Sequence, residues 1–329
     1  MNGQVRSNPA EPTATVVVLN YNYAPFVVES LESVRAQTFA DLELVVIDDG
    51  STDGSREIID RWLDEHWPDA TRRLHTENRG LLARANEGLA LAQGRYYQLF
   101  STDDRMEPHK IALQVDVLER RPETALCFSD MRRIDGKGEL VDGTVMETTP
   151  QEIPPGSGRM LARVYTRAPF CAPSWLLRRQ AVEAVGGYDE RFYTEDIQLL
   201  FKLGARYDFA YVDEPLVDYR WHGTNTSSRF ESTPAHRLAW CELLRAIADE
   251  PDVEERWRAL YRERVRALVV GNPRRESLPH ARFLTRRALT AANLAVLAGA
   301  ECGICDARAR RVIAWRESVA RGVRRCRVG

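Results

Sequence analysis

Residues 13–20 read TATVVVLN, and residues 42–51 read LELVVIDDGS. Apolar runs bounded by polar loops mark strands covered on both faces, as in a parallel sheet. Between them, residues 26–37 place Val27, Leu31 and Val34 on one helical face. After Asp48-Asp49-Gly50, the triplet Ser51-Thr52-Asp53 can cap a helix whose inner stripe is Ile58, Ile59, Trp62 and Leu63. RRLHTE (72–77) predicts a short third strand. Residues 81–93 predict an alanine-rich helix stopped by Gly94, and RYYQLF (95–100) a fourth strand. Pro108 opens a helix running to Arg121, and TALCFSD (124–130) is a fifth strand.

Strands and helices alternating at this spacing predict an α/β sheet with right-handed crossovers. In such sheets ligands bind beyond the carboxyl ends of the strands. NYN (20–22), DDGS (48–51) and STDD (101–104) all fall at those ends. Three polar clusters are therefore expected to converge on one edge.

Beyond residue 130 the pattern is less regular. DGKGELVDG reads as a turn with flanking strand-like pieces, and PPGSGR as a loop suited to a lid or to the acceptor side. SWLLRRQAVEAVGGYDERFYTEDIQLLFKLGA reads as strand, helix, glycine turn and a second helix from about Glu195. YDFAYVDEPLVDYRWH predicts a final pair of strands. Residues 236–249, 254–270, 279–298 and 306–324 carry helical periodicity.

Composition narrows the class. At 329 residues, 44% apolar and 29% charged, the chain has the make-up of an ordinary globular protein, with room for two domains or one domain and an extension. The net charge of −2 hides an asymmetry: residues 235–329 hold 20 Arg and no Lys against 11 acids, hence +9, which leaves −11 on the first 234. A basic tail suits an anionic membrane face, nucleic acid, an acidic partner domain or plain solvated helix faces. Cys302 and Cys305 form CGIC without a second ligand pair of zinc spacing, and the remaining cysteines are scattered. The polar opening MNGQVRSNPAEPTA has no apolar signal core, and no run approaches the roughly 20 apolar residues of a membrane span. A reducing cytoplasm is the expectation. Asn225-Thr226-Ser227 matches a glycosylation triplet that this location would leave unused. His66, His75, His109, His236 and His280 are expected at the surface or at caps.

The candidate chemistry centres on Asp103 and Asp104. Adjacent carboxylates at a strand end suit a hard divalent cation, since Mg2+ or Mn2+ takes one or two carboxylates plus substrate phosphates. A helix N-cap before Pro108 would account for one aspartate, not for two with a second pair at Asp48-Asp49.

The ordered set of NYN with the following helix, DDGSTDGS, NRGLLARANEGLALAQGRYYQLFSTDD, GGYDERFYTEDIQLLFKL and PLVDYRWHGTNTSS resembles family 2 glycosyltransferases of the GT-A fold across residues 13–230, nearest in its TDD motif to the spore-coat branch. The resemblance implies a nucleotide-binding half over 13–130 and an acceptor-binding half over 131–232; outside it, charge and helical periodicity predict a basic helical domain over 233–329, and a flexible stretch is expected over 1–12. It implies transfer of a sugar from a nucleotide diphosphate sugar, UDP favoured, with inversion and with Mn2+ or Mg2+. By this likeness Tyr21 stacks on the base with Asn20 beside it, and Asp49 hydrogen-bonds the base. Arg79 and Arg84 flank the nucleotide, Asp103 touches the ribose, and Asp104, with Asp103, holds the metal. Asp196 of the Glu195-Asp196 pair is the general base. Arg220 and His222 approach the diphosphate or metal. Ser101 stands where many members carry a first aspartate. Trp175 and Trp221 are candidates to stack on sugar faces, or to lie in the core.

The acceptor stays open among glycan, lipid-linked sugar, natural product and peptide. A homo-oligomer and a peripheral membrane contact are expected possibilities, and nucleic acid is not expected as a partner. Rival readings are a nucleotidyltransferase, which would carry a glycine-rich basic loop where this chain has LNYNYAP, and a non-catalytic sugar-nucleotide-binding protein.

Overall fold

The computed structural model describes residues 12–148, 157–159, 172–222, 233–248, 254–271 and 277–287, together with Val296. The chain divides into a unit over Met1–Arg229 and a unit over Phe230–Gly329.

The first unit is built on a mixed sheet. β1 (Ala14–Asn20), β2 (Leu42–Asp48), β3 (Thr71–Leu74) and β4 (Tyr96–Ser101) alternate with α1 (Val27–Arg35), α2 (Ser55–His66) and α3 (Leu81–Leu91). There follow β5 (Arg105–Met106), α4 (Lys110–Glu119), β6 (Thr124–Ile134), β7 (Leu140–Thr144), α5 (Val145–Thr148) and β8 (Gly158–Arg159). β9 (Leu176–Arg178), α6 (Arg179–Ala184), α7 (Asp196–Gly204) and β10 (Asp208–Arg220) complete it. Among the described residues the strand order is β3-β2-β1-β4-β9-β6-β10-β5, with β7 on β6 and β8 on β10. The β1–β2, β1–β4, β2–β3 and β6–β10 pairs are parallel, whereas β9 runs antiparallel between β4 and β6.

The apolar runs form strands because both of their faces are covered. Val16, Val18, Leu44, Val46, Tyr96 and Phe100 pack with the inner stripes of α1, α2 and α4. Val17 and Ile47 point the other way, to α3, where Gly88 allows contact: a Cβ there would lie 2.4 Å from a Val17 methyl. The stretch expected as a closing pair of strands is instead the single strand β10. Its Asp213-Glu214-Pro215 segment does not turn. It is absorbed as register shifts against β6 between Val212 and Asp218, where a proline without an N–H is tolerated.

A charged group sits inside this unit. Lys110 is fully buried, and its ammonium donates to Gln98 Oε1, to Gln114 Oε1 (2.8 Å) and to the Trp175 carbonyl (3.0 Å). Gln114 Nε2 donates onward to the Ser174 carbonyl (2.7 Å). The knot ties the segment before β9 to α4 and β4.

In the second unit, α8 (Pro234–Ala246), α9 (Glu254–Gly271) and α10 (Ser277–Arg287) pack together. Thr233 caps α8 by accepting the His236 N–H, with Pro234 in the first turn. His280 corrects the surface expectation: it is buried, with Nδ1 2.9 Å from the Tyr261 hydroxyl, and burial lowers its proton affinity. Among the described residues no helix is long and apolar enough to cross a membrane. The CGIC pair, the 306–324 periodicity and the glycosylation triplet lie outside the described residues.

Burial draws the Lys110 pKa from an ordinary 10.5 down to about 7. Between those values the unfolded chain binds more protons than the folded one, so this group's contribution to stability rises with pH from about 7 to 10.5. Urea unfolding at pH 7 and pH 9.5 should show that rise, and Lys110→Met should flatten it.

Candidate active site

Parallel register sets the site. Asn20 pairs with Asp48, and Leu19 with Ser101, so the loops after β1, β2 and β4 leave the sheet at one level. The buried Asn20 side chain, at the end of β1, ties the other two loops to it. It donates to Asp48 Oδ2 (2.7 Å) and Ser51 Oγ (3.1 Å), and accepts from the Thr102 hydroxyl (2.6 Å). Asp48 also receives the Ser51 N–H (2.9 Å) and hydroxyl (2.6 Å). Asn22, at φ 57°, clamps the DDGS turn with its own N–H to Ser51 Oγ (2.9 Å) and by accepting the Thr52 N–H (2.8 Å). Asn20 therefore braces the loops, while the neighbouring Tyr21 stands 46% exposed at the rim.

Asp49 forms the next wall. Its carboxylate accepts the backbone N–H groups of Arg79 and Gly80 (both 2.8 Å) and the Arg84 Nε–H (2.6 Å). Arg84 is buried. It also donates to the Glu77 carbonyl (3.0 Å) and to Glu87 (2.9 Å), whose carboxylate lies 3.0 Å from His75 Nε2. Arg84 was expected beside a nucleotide; its guanidinium instead faces inward and orients Asp49. Arg79 contributes its backbone here, and its side chain is exposed. Gly50, at φ +76°, lets the 77–78 backbone approach, since a Cβ would come within 2.7 Å of the Glu77 carbonyl carbon.

Asp103 and Asp104 are both buried in the turn between β4 and β5. Asp104 Oδ1 accepts the Arg220 N–H (2.8 Å), and Asp103 Oδ2 lies 3.2 Å from His222 Nε2. Burial, reinforced by the charge of Asp103, pushes the Asp104 carboxyl well above the ordinary carboxylate range. Among the described residues, Asp103 Oδ1 is buried without a hydrogen-bond partner. An orphaned carboxylate oxygen beside a second carboxylate fits Mn2+ or Mg2+. Among the described residues no group of three or more His, Cys, Asp or Glu could hold a metal, so a cation here would draw its other oxygens from a ligand or water.

Glu195 and Asp196 begin α7. Burial raises Glu195 to about 8, helped by the charges of Asp196 and then Asp103. Burial also raises Asp196, whose Oδ1 accepts the Ile197 N–H (2.6 Å). The segment before α7 is held by Asn86, which donates to the Tyr188 carbonyl (2.8 Å) and accepts the Tyr188 N–H (2.9 Å). Gln198 likewise accepts the Asp189 N–H (2.8 Å).

Two expected ligand groups point inward. Trp175 is 2% exposed and belongs to the core, because β9 is inserted between β4 and β6; it cannot stack on a sugar. Arg220 is equally buried, and its guanidinium serves protein carbonyls and Glu29. Trp221 is 61% exposed. His222 is boxed by the rings of Tyr23 (5.4 Å) and Phe26 (5.3 Å). Glu29, Asn86, Glu87 and Gln198 were not singled out from sequence. Asn86 left one sign, a lone amide within an alanine-rich helix.

Mixed sheet, strand-end acids and flanking helices define a GT-A-like transferase fold. The profile of Glycosyl transferase family 2 matches residues 15–186, just over half of the chain, and the chain belongs to that family. An uncharacterized glycosyltransferase of Nostoc is 35% identical over 128 residues, 39% of this chain and 39% of the relative. The first five curated relatives are matched over only 30–41% of their own lengths. Among solved structures, S. aureus TarS 1-349 in complex with UDP-GlcNAc superposes with TM-score 0.61 at 16% identity, covering 88% of this chain and 79% of that one. The mannosyltransferase PcManGT of Pyrobaculum calidifontis, in complex with GDP-Man and Mn2+, gives 0.55 at 20% identity, covering 94% and 86%.

Removing Arg84 would strand Asp49 with its two backbone donors and leave Glu87 with His75 alone. Losing one partner of a buried ion pair typically costs about 3–5 kcal/mol. Arg84→Met should lower the urea midpoint accordingly, whereas Arg79→Met, an exposed side chain, should leave it nearly unchanged.

Proposed function

We propose that this chain is an inverting, metal-assisted glycosyltransferase using a nucleotide diphosphate sugar, with UDP as the favoured carrier. The observation that carries the reading is the buried Asp103-Asp104 pair, whose Asp103 Oδ1 has no hydrogen-bond partner among the described residues, on the sheet edge that also presents Tyr21 and Asp49. Tyr21 offers an exposed ring for the base. Asp49, aligned by Arg84, offers an acceptor to a ring N–H such as uracil carries, and the larger guanine is disfavoured by its size.

Asp104 and Asp103, with His222 at hand, would hold Mn2+ or Mg2+. When bound, such an ion would supply Lewis-acid neutralisation of the charge on a leaving diphosphate. The chain's own acids do the rest. The acceptor oxygen bonds to the anomeric carbon as the bond from that carbon to the diphosphate oxygen breaks, and the acceptor proton passes to the Asp196 carboxylate. A single displacement of this kind inverts the centre. Glu195, which holds its proton up to about pH 8, spares Asp196 a second full negative charge beside it. The acceptor is unassigned. We assign the arginine-rich second unit to oligomerisation or acceptor docking on the strength of its charge, and the chain to the cytoplasmic side of any membrane it serves.

Asp104→Ala should abolish the Mn2+-dependent part of UDP binding in calorimetry while leaving the circular dichroism spectrum intact. Wild-type-like binding would remove the metal assignment. Wild-type protein should also bind UDP more tightly than GDP.

Asp196→Asn should keep UDP affinity and lower turnover by about 100- to 10,000-fold, the usual effect of losing a positioned base. Donor hydrolysis gives a readout before an acceptor is identified. Full activity in this variant, or retained stereochemistry in the product, would sink the mechanism.

A further inference from the structure

We propose that Glu29 is a positioning residue that keeps Arg220 from competing with a cation for Asp103 and Asp104; this rests on the reading of those aspartates as the metal-binding pair. Two residues, Arg220 and His222, orient that pair. The Arg220 N–H holds Asp104 Oδ1 (2.8 Å), its Nε–H holds the Asp103 carbonyl (2.8 Å), and His222 lies against Asp103 Oδ2 (3.2 Å). A full positive charge therefore sits, 1% exposed, directly behind two carboxylates.

What keeps the guanidinium turned away is visible in its other contacts. Nη1 donates to the Asp135 carbonyl (3.1 Å), and Nη2 to Glu29 Oε2 (2.5 Å). Its face lies 4.7 Å from the Phe26 ring. The carbonyls are neutral acceptors, and Glu29 brings a formal negative charge. The other oxygen of Glu29 receives Arg105 Nη1 (2.6 Å), and Arg105 follows Asp104 directly in the chain. Arg105 is held in turn by Asp218 (2.7 and 3.0 Å). Glu29 thus bridges the arginine next to the acidic turn in sequence and the arginine next to it in space.

Without that carboxylate, Arg220 stays buried and charged beside the acidic turn, where its Nε–H already holds the Asp103 carbonyl and its backbone N–H holds Asp104 Oδ1. An arginine paired with them occupies the lone pairs a cation needs. The fold does not depend on Glu29 in the same way. Helix α1 keeps its Val27, Leu31 and Val34 stripe, and it still grips the turn through Ser30 Oγ to the Ser101 carbonyl (3.3 Å) and the Met106 N–H to Ser33 Oγ (3.1 Å). The Glu29 side chain is itself 41% exposed.

The test titrates Mn2+ into the full chain at fixed UDP, and separately measures UDP binding in EDTA and the thermal midpoint. Glu29→Gln should raise the half-saturating Mn2+ concentration about 10- to 100-fold, the usual effect of losing a residue that orients metal ligands. UDP affinity in EDTA should stay within about twofold, because the base-side wall is untouched. Glu29→Asp, which keeps the charge but is too short to span both arginines, should fall between. Glu32→Gln is the control, since Glu32 on the same helix serves Arg35 and Trp62. It should leave the Mn2+ titration unchanged. Wild-type Mn2+ dependence in Glu29→Gln, or an equal shift in Glu32→Gln, would overturn the proposal. A wild-type protein whose UDP binding ignores Mn2+ would overturn the metal reading itself, and this inference with it.

Discussion

Everything at the site hangs on one amide. Asn20 ends β1, and its side chain is shared among the loops after β1, β2 and β4. Buried polar groups must be satisfied, and here each hydrogen bond that satisfies Asn20 also fixes a neighbouring loop. Parallel register makes the sharing possible, because it brings Asp48 and Ser101 to the height of Asn20 on either side. The rim residue Tyr21 and the wall residue Asp49 are each one step from this tie.

A second constraint is the number of charges placed out of water. Asp49, Asp103, Asp104, Arg84 and Arg220 are all buried, and burying a charge is unfavourable unless partners compensate. The two arginines resolve this differently. Arg84 is neutralised by Asp49 and Glu87, so that wall is complete in itself. Arg220 takes a charge partner from helix α1, and among the described residues Asp103 Oδ1 is left without a hydrogen-bond partner. The acidic turn therefore keeps an unspent negative charge, and that surplus makes it suited to a cation.

Lys110 shows the same logic in the interior. Three acceptors surround an ammonium with three N–H groups, and the knot fixes the approach to β9. β9 then decides the fate of Trp175, which is enclosed when an antiparallel strand enters between β4 and β6.

Much of this was legible in the chain. The alternation of apolar runs and helical stripes over residues 13–130 fixes local structure within a few residues of each position, so β1 to β4 and α1 to α4 could be read directly. Asp48-Asp49 and Asp103-Asp104 stood out because paired carboxylates at a strand end have few structural uses, and Glu195-Asp196 only through the likeness to the family's motif, since acids are ordinary in a helix's first turn. Which way a long side chain turns was not legible. Arg220 meets Glu29 across 191 residues, and Arg84 meets Asp49 across 35. The single strand β10, the burial of Trp175 and the inward His280 were hidden for the same reason. Periodicity and capping depend on neighbours in sequence, and the sequence alone determines them. The partner of a buried charge depends on which distant strands lie side by side, and only the closed sheet decides that.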